Sequence, residues 1–255
     1  MAITNFINAF LGKFNYALIK KSYSPNFSDL DIPGEKKFIE IFNSLSHLSM
    51  TSKERMYGLY KAVEYVVQHE IDGDIVECGT WKGGSMMLAA LALQHFGYTD
   101  KKLWLYDTFE GMSEPTSADF DYGGRTALSS IQGQGLASFS QMCFASLDEV
   151  KYNLQSTGYP SEKIHFVKGK VEETIPENLP RKISILRLDT DWYESTYHEL
   201  KYLFPILSTG GVLIIDDYGH WKGAKDATDS YFKENRVKIL LNRLDYTGRI
   251  AIKLN

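Results

Sequence analysis

Short apolar runs alternate along this chain with longer stretches in which apolar residues recur every three or four positions. The short runs, most of them followed closely by an acidic or glycine residue, predict strands at residues 74–77, 102–106, 164–167, 183–188 and 212–215. The longer stretches predict helices at residues 52–68, 84–96, 147–154, 195–207 and 224–233. Strands that alternate with helices indicate an α/β domain with a doubly wound, mostly parallel sheet.

The two ends of the chain depart from this alternation. Residues 237–241 and 249–253 flank a glycine-bearing turn, which predicts a closing antiparallel hairpin. Residues 1–21 place apolar side chains at helical spacing, which predicts an amphipathic helix. We expect this helix to pack on the body or on a second copy in a homo-oligomer, since apolar stripes in such chains more often mark contacts than a membrane surface. We therefore divide the chain into an N-terminal helical extension, residues 1–50, and a main domain, residues 51–255.

Composition narrows the class of protein. A length of 255 residues with 44% hydrophobic content is enough for one sizeable core. The formal net charge of -4, without a run of lysine and arginine, argues against nucleic-acid binding. Cys78 and Cys143 are the only cysteines, which argues against a disulfide framework and fits a reducing, cytoplasmic location. The sequence has no apolar run long enough for a transmembrane helix.

Two groups of aspartates follow apolar strands in the second half of the chain. Asp189 follows the strand 183–188, and Asp216 and Asp217 follow the strand 212–215. Ligands in open α/β sheets bind beyond the carboxyl ends of the strands, so neighbouring strands would bring these side chains together. Crowded carboxylates need a shared proton or a cation, and an all-oxygen set suits Mg²⁺ better than zinc. A single strand-end aspartate would simply cap the next helix, but two groups favour a metal site.

A glycine-bearing loop joins the first predicted strand to its helix. Gly79, Gly83 and Gly84 allow a tight turn and close backbone approach to a ligand. Their spacing differs from the G-x-G-x-x-G dinucleotide fingerprint, and Glu77 at the strand end would repel a pyrophosphate. A cofactor with an ammonium and a sulfonium group meets no such repulsion, which favours S-adenosylmethionine over NAD. Asp107, at the end of the second strand, is placed to accept hydrogen bonds from ribose hydroxyls.

The aspartates, the glycine loop and further motifs lie between about residue 50 and residue 253. In this combination the chain resembles the macrocin O-methyltransferase (TylF-type) family of class I, S-adenosylmethionine-dependent methyltransferases. The matching stretches are residues 50–55, 73–79, 81–84, 105–112, 146–150, 186–196 and 214–219. The resemblance implies a Rossmann-like, seven-stranded sheet with a C-terminal antiparallel hairpin. It also implies methyl transfer to a hydroxyl, typically on a sugar of a natural product, glycan or nucleotide-sugar, with bound Mg²⁺.

The resemblance assigns residues to this site. Asp189, Asp216 and Asp217 match the family's metal-binding aspartates, and Asp189 matches its proposed general base. The positions that match the cofactor site are Met50, Thr51, Glu77, Gly79, Thr80, Trp81, Gly84, Ser85, Asp107 and Thr108. Residues 110–135, which are rich in glycine, serine and acidic residues without a clear period, form a candidate lid.

Several side chains are candidates for contact with the acceptor. Those that we assign to it are Tyr122, Arg125, Tyr193 and His220. Each also has a structural interpretation, as part of a solvated loop, as packing at a helix start or as a hydrogen-bonded loop histidine. Asp119 and Asp121 add polar groups to the candidate lid. Arg187, inside an apolar strand, is expected to form a structural ion pair with a nearby acid.

The mechanism that these residues support starts from a weak nucleophile. A sugar hydroxyl is not ionised by an aspartate of ordinary pKa, ~3.9, acting alone. A bound metal lowers the pKa of the oxygens that it binds. We expect Mg²⁺ on the three aspartates to hold two neighbouring substrate oxygens, and Asp189 to receive the proton. A catechol-type O-methyltransferase would share this logic, while an NAD-binding oxidoreductase or a non-catalytic cofactor-binding protein is disfavoured by the loop spacing and the acidic cluster.

Overall fold

The computed structural model of the chain describes residues 32–112, 116, 119–127, 129 and 143–254. The chain divides into two compact units, residues 1–36 and 37–255. The predicted amphipathic helix at residues 1–21 lies outside the described residues, so self-association through it stays a prediction, as does the domain boundary at residue 50. Within the described part of the chain, every helix is too short or too polar to cross a membrane.

The described residues of the second unit form a single seven-stranded sheet. Its strands are β1 (Asp74–Cys78), β2 (Leu103–Asp107), β3 (Ile164–Lys168), β4 (Ile183–Leu188), β5 (Leu207–Ile215), β6 (Asn242–Arg243) and β7 (Arg249–Ile252). They lie in the order β3-β2-β1-β4-β5-β7-β6. Strands β1 to β5 are parallel, and β7 runs antiparallel to β5 and β6. The predicted mostly parallel sheet with a C-terminal antiparallel hairpin is confirmed.

The described residues contain seven α-helices, of which five lie close to the predicted residues and two, at residues 36–45 and 171–174, were not predicted. They are α1 (Lys36–Leu45), α2 (Lys53–Gln68), α3 (Gly84–His95), α4 (Leu147–Ser156), α5 (Val171–Thr174), α6 (Tyr193–Leu203) and α7 (Lys222–Glu234). The Ser52 hydroxyl caps α2 by accepting a hydrogen bond from the Arg55 backbone N–H at 3.1 Å. Helix α6 ends four residues before the predicted position 207, because Pro205 lies in a 3-10 turn that follows it.

Side chains of β1 and β4 alternate between the two faces of the sheet. Val76, Cys78 and Leu188 belong to one buried apolar cluster that includes Leu200 and Leu203 of α6. The opposite parity puts Glu77 and Arg187 on the other face, where α2 packs on β4 and β5. Charged side chains in fully buried strands need partners, and these two residues are paired neighbours across β1 and β4.

The closing hairpin is shorter than predicted. Strand β6 covers Asn242–Arg243 rather than residues 237–241. The backbone N–H of Leu244 donates to the carbonyl of Gly248 at 3.0 Å, and the Asp245 carboxylate accepts the Gly248 N–H at 2.6 Å. This turn fixes the register, so the residues directly before Leu244 face β7 and the predicted segment lies beyond it.

Part of the candidate lid, residues 119–127, forms backbone bridges. Phe120 forms an antiparallel bridge with Thr126, and Asp121 forms another with Trp221. The Lys222 backbone N–H donates to the Phe120 carbonyl at 2.7 Å. Residues 119–127 are thereby attached to the start of α7.

Candidate active site

A cavity of about 460 Å³ opens at the carboxyl ends of the five parallel strands. One residue that ends or follows each strand lines it, and in strand order these are Gly79, Asp107, Gly169, Asp189 and Asp216. The chain runs from β1 outwards to β2 and β3 and then crosses back to β4 on the other side of β1, which makes this edge a topological switch point. The position and volume are those of a small-molecule site.

Most residues that were predicted to bind the cofactor line this cavity. They are Met50, Thr51, Gly79, Thr80, Trp81, Gly84, Ser85, Asp107 and Thr108. Glu77 is the exception, since its side chain is fully buried and its carboxylate is bonded to Arg187 on the face of the sheet. Its contact with a cofactor stays a prediction.

Asp107 organises the loop that follows β1. Its Oδ2 accepts the backbone N–H groups of Thr80 at 2.6 Å and Trp81 at 3.1 Å, and its Oδ1 accepts that of Phe109 at 2.7 Å. The contact with a ribose stays a prediction. Trp81 lines the same cavity, and its indole N–H is buried without a hydrogen-bond partner among the described residues.

Arg187 forms the predicted ion pair and extends it into a network. Its Nη1 donates to the Glu77 carboxylate and, at 2.8 Å, to Asp189 Oδ2. Its Nη2 donates to Thr51 Oγ1 at 2.9 Å and lies 2.7 Å from Asp216 Oδ1. Burial raises the pKa of Glu77 to about 7, and the arginine partly offsets this rise. The network ties the strand ends of β1, β4 and β5 to the start of α2.

Asp216 is held by a second arginine as well. Its Oδ2 pairs with Arg55 of α2, whose Nε lies 3.0 Å from Asp245 Oδ2 in the hairpin turn. Asp216 is 1% exposed. Both of its oxygens are therefore engaged by cations on the face that carries Arg187.

The carboxylates that converge in the structure are Asp189, Asp191 and Asp217. One oxygen from each lies within 4.8 Å of the others, and all three side chains are half-buried. Burial, reinforced by the neighbouring carboxylates, raises the pKa of Asp191 to about 7 and those of Asp189 and Asp217 well above their usual range. The predicted grouping of Asp189 with Asp217 appears, but Asp191 stands in it where Asp216 was expected.

The tip of the β6–β7 hairpin supports this acidic edge. The Thr247 hydroxyl donates to the Asp216 carbonyl at 2.8 Å and lies 3.4 Å from Asp217 Oδ1. The Asp245 carboxylate accepts the Ser52 hydroxyl at 2.8 Å. A Cβ on Gly219 would lie 2.2 Å from the Tyr246 carbonyl oxygen, so only glycine allows this approach of loop and hairpin.

An aromatic wall, formed by Trp192, His220, Trp221 and Tyr246, lines the same cavity as the acids. The rings of Trp192 and Trp221 lie 5.1 Å apart in a T-shaped arrangement, and His220 lies 4.9 Å from Trp221. The Tyr246 hydroxyl is 3.4 Å from His220 Nδ1. Burial lowers the pKa of His220, which favours the uncharged ring at neutral pH.

Of the four residues predicted to contact the acceptor, His220 lines the cavity. Tyr122 is 74% exposed, with its ring 5.7 Å from that of His220 at the edge of the wall. Arg125 pairs with Asp121 at 2.9 Å, and Tyr193 stacks on Tyr197. As described, these three residues do not line the cavity, and their contact with an acceptor stays a prediction.

The acids of the candidate lid have structural partners. Asp119 is fully buried; its Oδ1 accepts the backbone N–H of Tyr193 at the start of α6 at 3.1 Å. Asp121 Oδ1 accepts the backbone N–H groups of Gly123 and Arg125. Asp119 thus supplies a cap for α6 that local sequence spacing does not show, because it comes from more than seventy positions away.

Sequence reasoning missed the positions of Asp191 and Arg55 in this site. Asp191 follows Asp189 by two positions, and the alternation of extended chain would have put both side chains on one side. The same alternation would have put Asp216 on the face of Arg187, since Arg187 pairs with Ile214 in β5. No signal in the sequence shows that Arg55 reaches Asp216 across 161 positions.

Comparisons with known proteins agree with this geometry. Residues 42–251 match the family described as Macrocin-O-methyltransferase (TylF). A Streptomyces olivaceus enzyme, 8-demethyl-8-(2,3-dimethoxy-alpha-L-rhamnosyl)-tetracenomycin-C 4'-O-methyltransferase, is 32% identical over 205 residues, which cover 80% of this chain and 75% of the relative. Demethyldecarbamoylnovobiocin O-methyltransferase from Streptomyces niveus is 30% identical over 200 residues, which cover 78% and 73%.

A solved structure shares the fold as well. The O-methyltransferase NovP superposes with a TM-score of 0.72 at 27% identity, covering 82% of this chain and 83% of that chain. These matches decide against an NAD-binding oxidoreductase and against a non-catalytic cofactor-binding protein. The chain belongs to the macrocin O-methyltransferase (TylF) family, and it is an S-adenosylmethionine-dependent O-methyltransferase with a Rossmann-like fold.

Proposed function

We propose that this enzyme methylates a hydroxyl of a sugar, on a natural-product glycoside, glycan or nucleotide-sugar, and that it requires a divalent cation such as Mg²⁺. The observation that carries the proposal is the convergence of Asp189, Asp191 and Asp217 in the same cavity as the predicted cofactor residues. A sugar acceptor is supported by the Streptomyces olivaceus relative, whose name describes methylation of a rhamnosyl tetracenomycin.

The donor set of the acidic group suits a hard cation. Three carboxylate oxygens within 4.8 Å of one another match the oxygen ligands that Mg²⁺ prefers. Burial and the neighbouring carboxylates raise the pKa values of the three acids, and a bound cation would favour their ionised forms. In this proposal Asp191 joins Asp189 and Asp217 as a ligand. Asp216 remains with its two arginines and orients the strand end.

Asp189 is the proposed proton acceptor. Arg187 donates to its Oδ2, and the carboxylate lies in the acidic group, where an acceptor hydroxyl would approach the cation. A divalent cation, when bound, would lower the pKa of a hydroxyl beside it and so make an aspartate a sufficient base. The Arg187 contact also fixes the orientation of the Asp189 carboxylate before the acceptor arrives.

The remaining contribution of the chain is positioning and exclusion of water. The aromatic wall provides broad apolar faces beside the acids, against which the C–H face of a sugar ring packs. Removal of water from this end of the cavity strengthens the electrostatic interactions of the carboxylates. Cofactor and acceptor then meet within one cavity, where an in-line approach requires mainly orientation.

The test is methyl transfer from labelled S-adenosylmethionine to a panel of glycosides, nucleotide-sugars and catechols, with Mg²⁺ or with a chelator. We expect transfer to a sugar that chelation removes and Mg²⁺ restores. The Asp217→Asn variant should lose activity by a factor on the order of 10²–10⁴ while S-adenosylmethionine affinity stays within about twofold, since the change affects the acceptor end. The matched control is Asp226→Asn, on an aspartate that pairs with Lys222 on the surface.

Two outcomes would overturn parts of the proposal. Full activity after exhaustive chelation would remove the cation from the reaction. Transfer to catechols with none to any sugar would assign the cavity to a catechol-type acceptor, whose vicinal oxygens suit the same acids.

A further inference from the structure

The acidic turn that follows β4 has an unusual backbone. The Trp192 backbone N–H donates to the Thr190 carbonyl at 2.8 Å, which closes a three-residue turn around Asp191. Asp191 has a φ of 69°, in the left-handed region that residues other than glycine rarely occupy. Such a conformation persists only where the surroundings impose it. The groups packed around Thr190 and Asp191 therefore determine where the acids point.

Thr190 is enclosed from two sides. On one side lies Gly79 of the cofactor loop, where an added Cβ would be 2.1 Å from the Asp189 carbonyl oxygen and 3.4 Å from Thr190 Cγ2. On the other side lies Glu199 of α6, whose carboxyl group interacts with the Thr190 hydroxyl and the Cys78 thiol. Glu199 is fully buried.

The polar atoms at this contact have few possible hydrogen-bond partners. Both Glu199 carboxyl oxygens and Thr190 Oγ1 are buried, and none of the three has a hydrogen-bond partner of standard geometry among the described residues. Burial, with Glu172 and Asp189 adding to it, raises the pKa of Glu199 well above its usual range. The thiol of Cys78, also buried, stays protonated for the same reason. A neutral carboxyl group has an O–H that can donate to the threonine hydroxyl.

We propose that Glu199 is a positioning residue that stabilises the acidic turn from the side opposite Gly79. In this proposal the Glu199 carboxyl group and the Thr190 hydroxyl, which are buried without other partners among the described residues, bond to each other. This contact keeps the turn against Gly79, with Asp189 and Asp191 directed at Asp217. We call this contact between Glu199 and Thr190 the brace. Its importance for function rests on the proposed role of the acidic group in cation binding. The brace itself is a property of the metal-free fold.

The test uses hydrogen exchange of the Trp192 amide, whose bond to Thr190 closes the turn. In the metal-free protein, Glu199→Leu keeps a buried side chain of similar size but removes the hydrogen bond, so this amide should exchange about tenfold faster. Glu199→Gln is neutral and can still donate, so exchange should stay at the wild-type rate. Thr190→Val should match the leucine variant. The double variant should add nothing, since both changes remove one contact.

A second measurement links the brace to ligand binding. Mn²⁺ affinity, followed by electron paramagnetic resonance, should fall about tenfold in Glu199→Leu and remain unchanged in Glu199→Gln. Affinity for S-adenosylhomocysteine should be equal in all variants. Glu194→Leu, at an exposed position of α6, is the control for the helix itself.

The outcomes separate the brace from the proposed function. Wild-type exchange at the Trp192 amide in Glu199→Leu would overturn the positioning role, and so would equal acceleration in the leucine and glutamine variants. Failure of the wild-type protein to bind Mn²⁺ would instead count against the proposed cation, while the exchange rates would still decide on Glu199.

Discussion

Replacing Asp191 by asparagine should stabilise the metal-free protein at neutral pH. Burial raises the pKa of Asp191 from 3.8 to about 7, so the folded state binds a proton more tightly than the unfolded state does. Between these two values the folded state carries more protons, and the free energy of unfolding therefore falls as pH rises. The stabilising effect of the proton is complete below pH 3.8 and is lost once the pH passes about 7. Asparagine has no such dependence and tolerates the left-handed backbone.

The structure sets the size of this effect. At 1.36 kcal/mol per pKa unit, the shift corresponds to at most about 4 kcal/mol at pH 7.5. Because the side chain is only half-buried, solvent screens part of the effect, and we expect about 2 kcal/mol. The removal of one charge also reduces the electrostatic repulsion on Asp189 and Asp217, which raises the free energy of unfolding further.

The assay is urea-induced unfolding in the presence of a chelator at intervals from pH 4 to pH 8. The Asp191→Asn protein should match wild type near pH 4 and exceed it progressively up to pH 7. With Mg²⁺ at pH 7.5 the order should reverse, because the cation binds the ionised carboxylates of the wild type. If the free energies of unfolding of the two proteins differed by a constant amount across this pH range, the raised pKa of Asp191 in the folded state would be refuted. Asp226→Asn is the surface control.

Three further changes probe other parts of the site. Gly79→Ala should abolish S-adenosylhomocysteine binding in calorimetry and lower the melting temperature, because its Cβ would lie 2.1 Å from the Asp189 carbonyl oxygen at a φ of +79°. Arg55→Met should lower the free energy of unfolding in urea by about 2–3 kcal/mol, less than for a fully stranded charge, since Asp216 keeps one arginine. Tyr246→Ala should raise the acceptor KM about tenfold and leave the cofactor KM unchanged, as measured by initial rates.

Each of these changes has a matched control. Gly97→Ala has a similar positive φ but open space around the added Cβ, so it should retain binding. Lys61→Met removes a cation from the surface of α2 and should change stability by less than about 1 kcal/mol. Tyr152→Ala removes an exposed tyrosine of α4 and should leave both KM values unchanged. Equal effects in a variant and its control would remove the site-specific explanation.

The order of the elements and the location of the site followed from local patterns. Buried parallel strands produce continuous apolar runs, and strand ends in such a sheet converge at one edge. Gly79, Asp107 and Asp189 line the cavity for that reason. These predictions required only the period of the apolar residues and the direction of the chain.

The exact partners of the charged side chains could not be predicted in the same way. Asp216 and Asp217 are adjacent in sequence, yet one faces two arginines and the other faces the acidic group. The difference depends on strand parity and on Arg55, which comes from a helix far away in the chain. The register of β6 depends on hydrogen bonds within the turn around Asp245, and a count of apolar residues does not contain that information.

The hairpin tip has a consequence for the order in which the enzyme becomes competent. Its contact between Ser52 and Asp245 closes a loop of 193 positions, and contacts of such long range form late in folding because of their entropy. The glycine loop and Asp107 follow β1 and β2 early in the chain, whereas the carbonyl of Asp216 is anchored by Thr247 in the hairpin. During folding, the part of the cavity that binds S-adenosylmethionine can thus form before the acidic edge where the acceptor binds. Affinity for the cofactor should therefore be measurable before the protein catalyses methyl transfer.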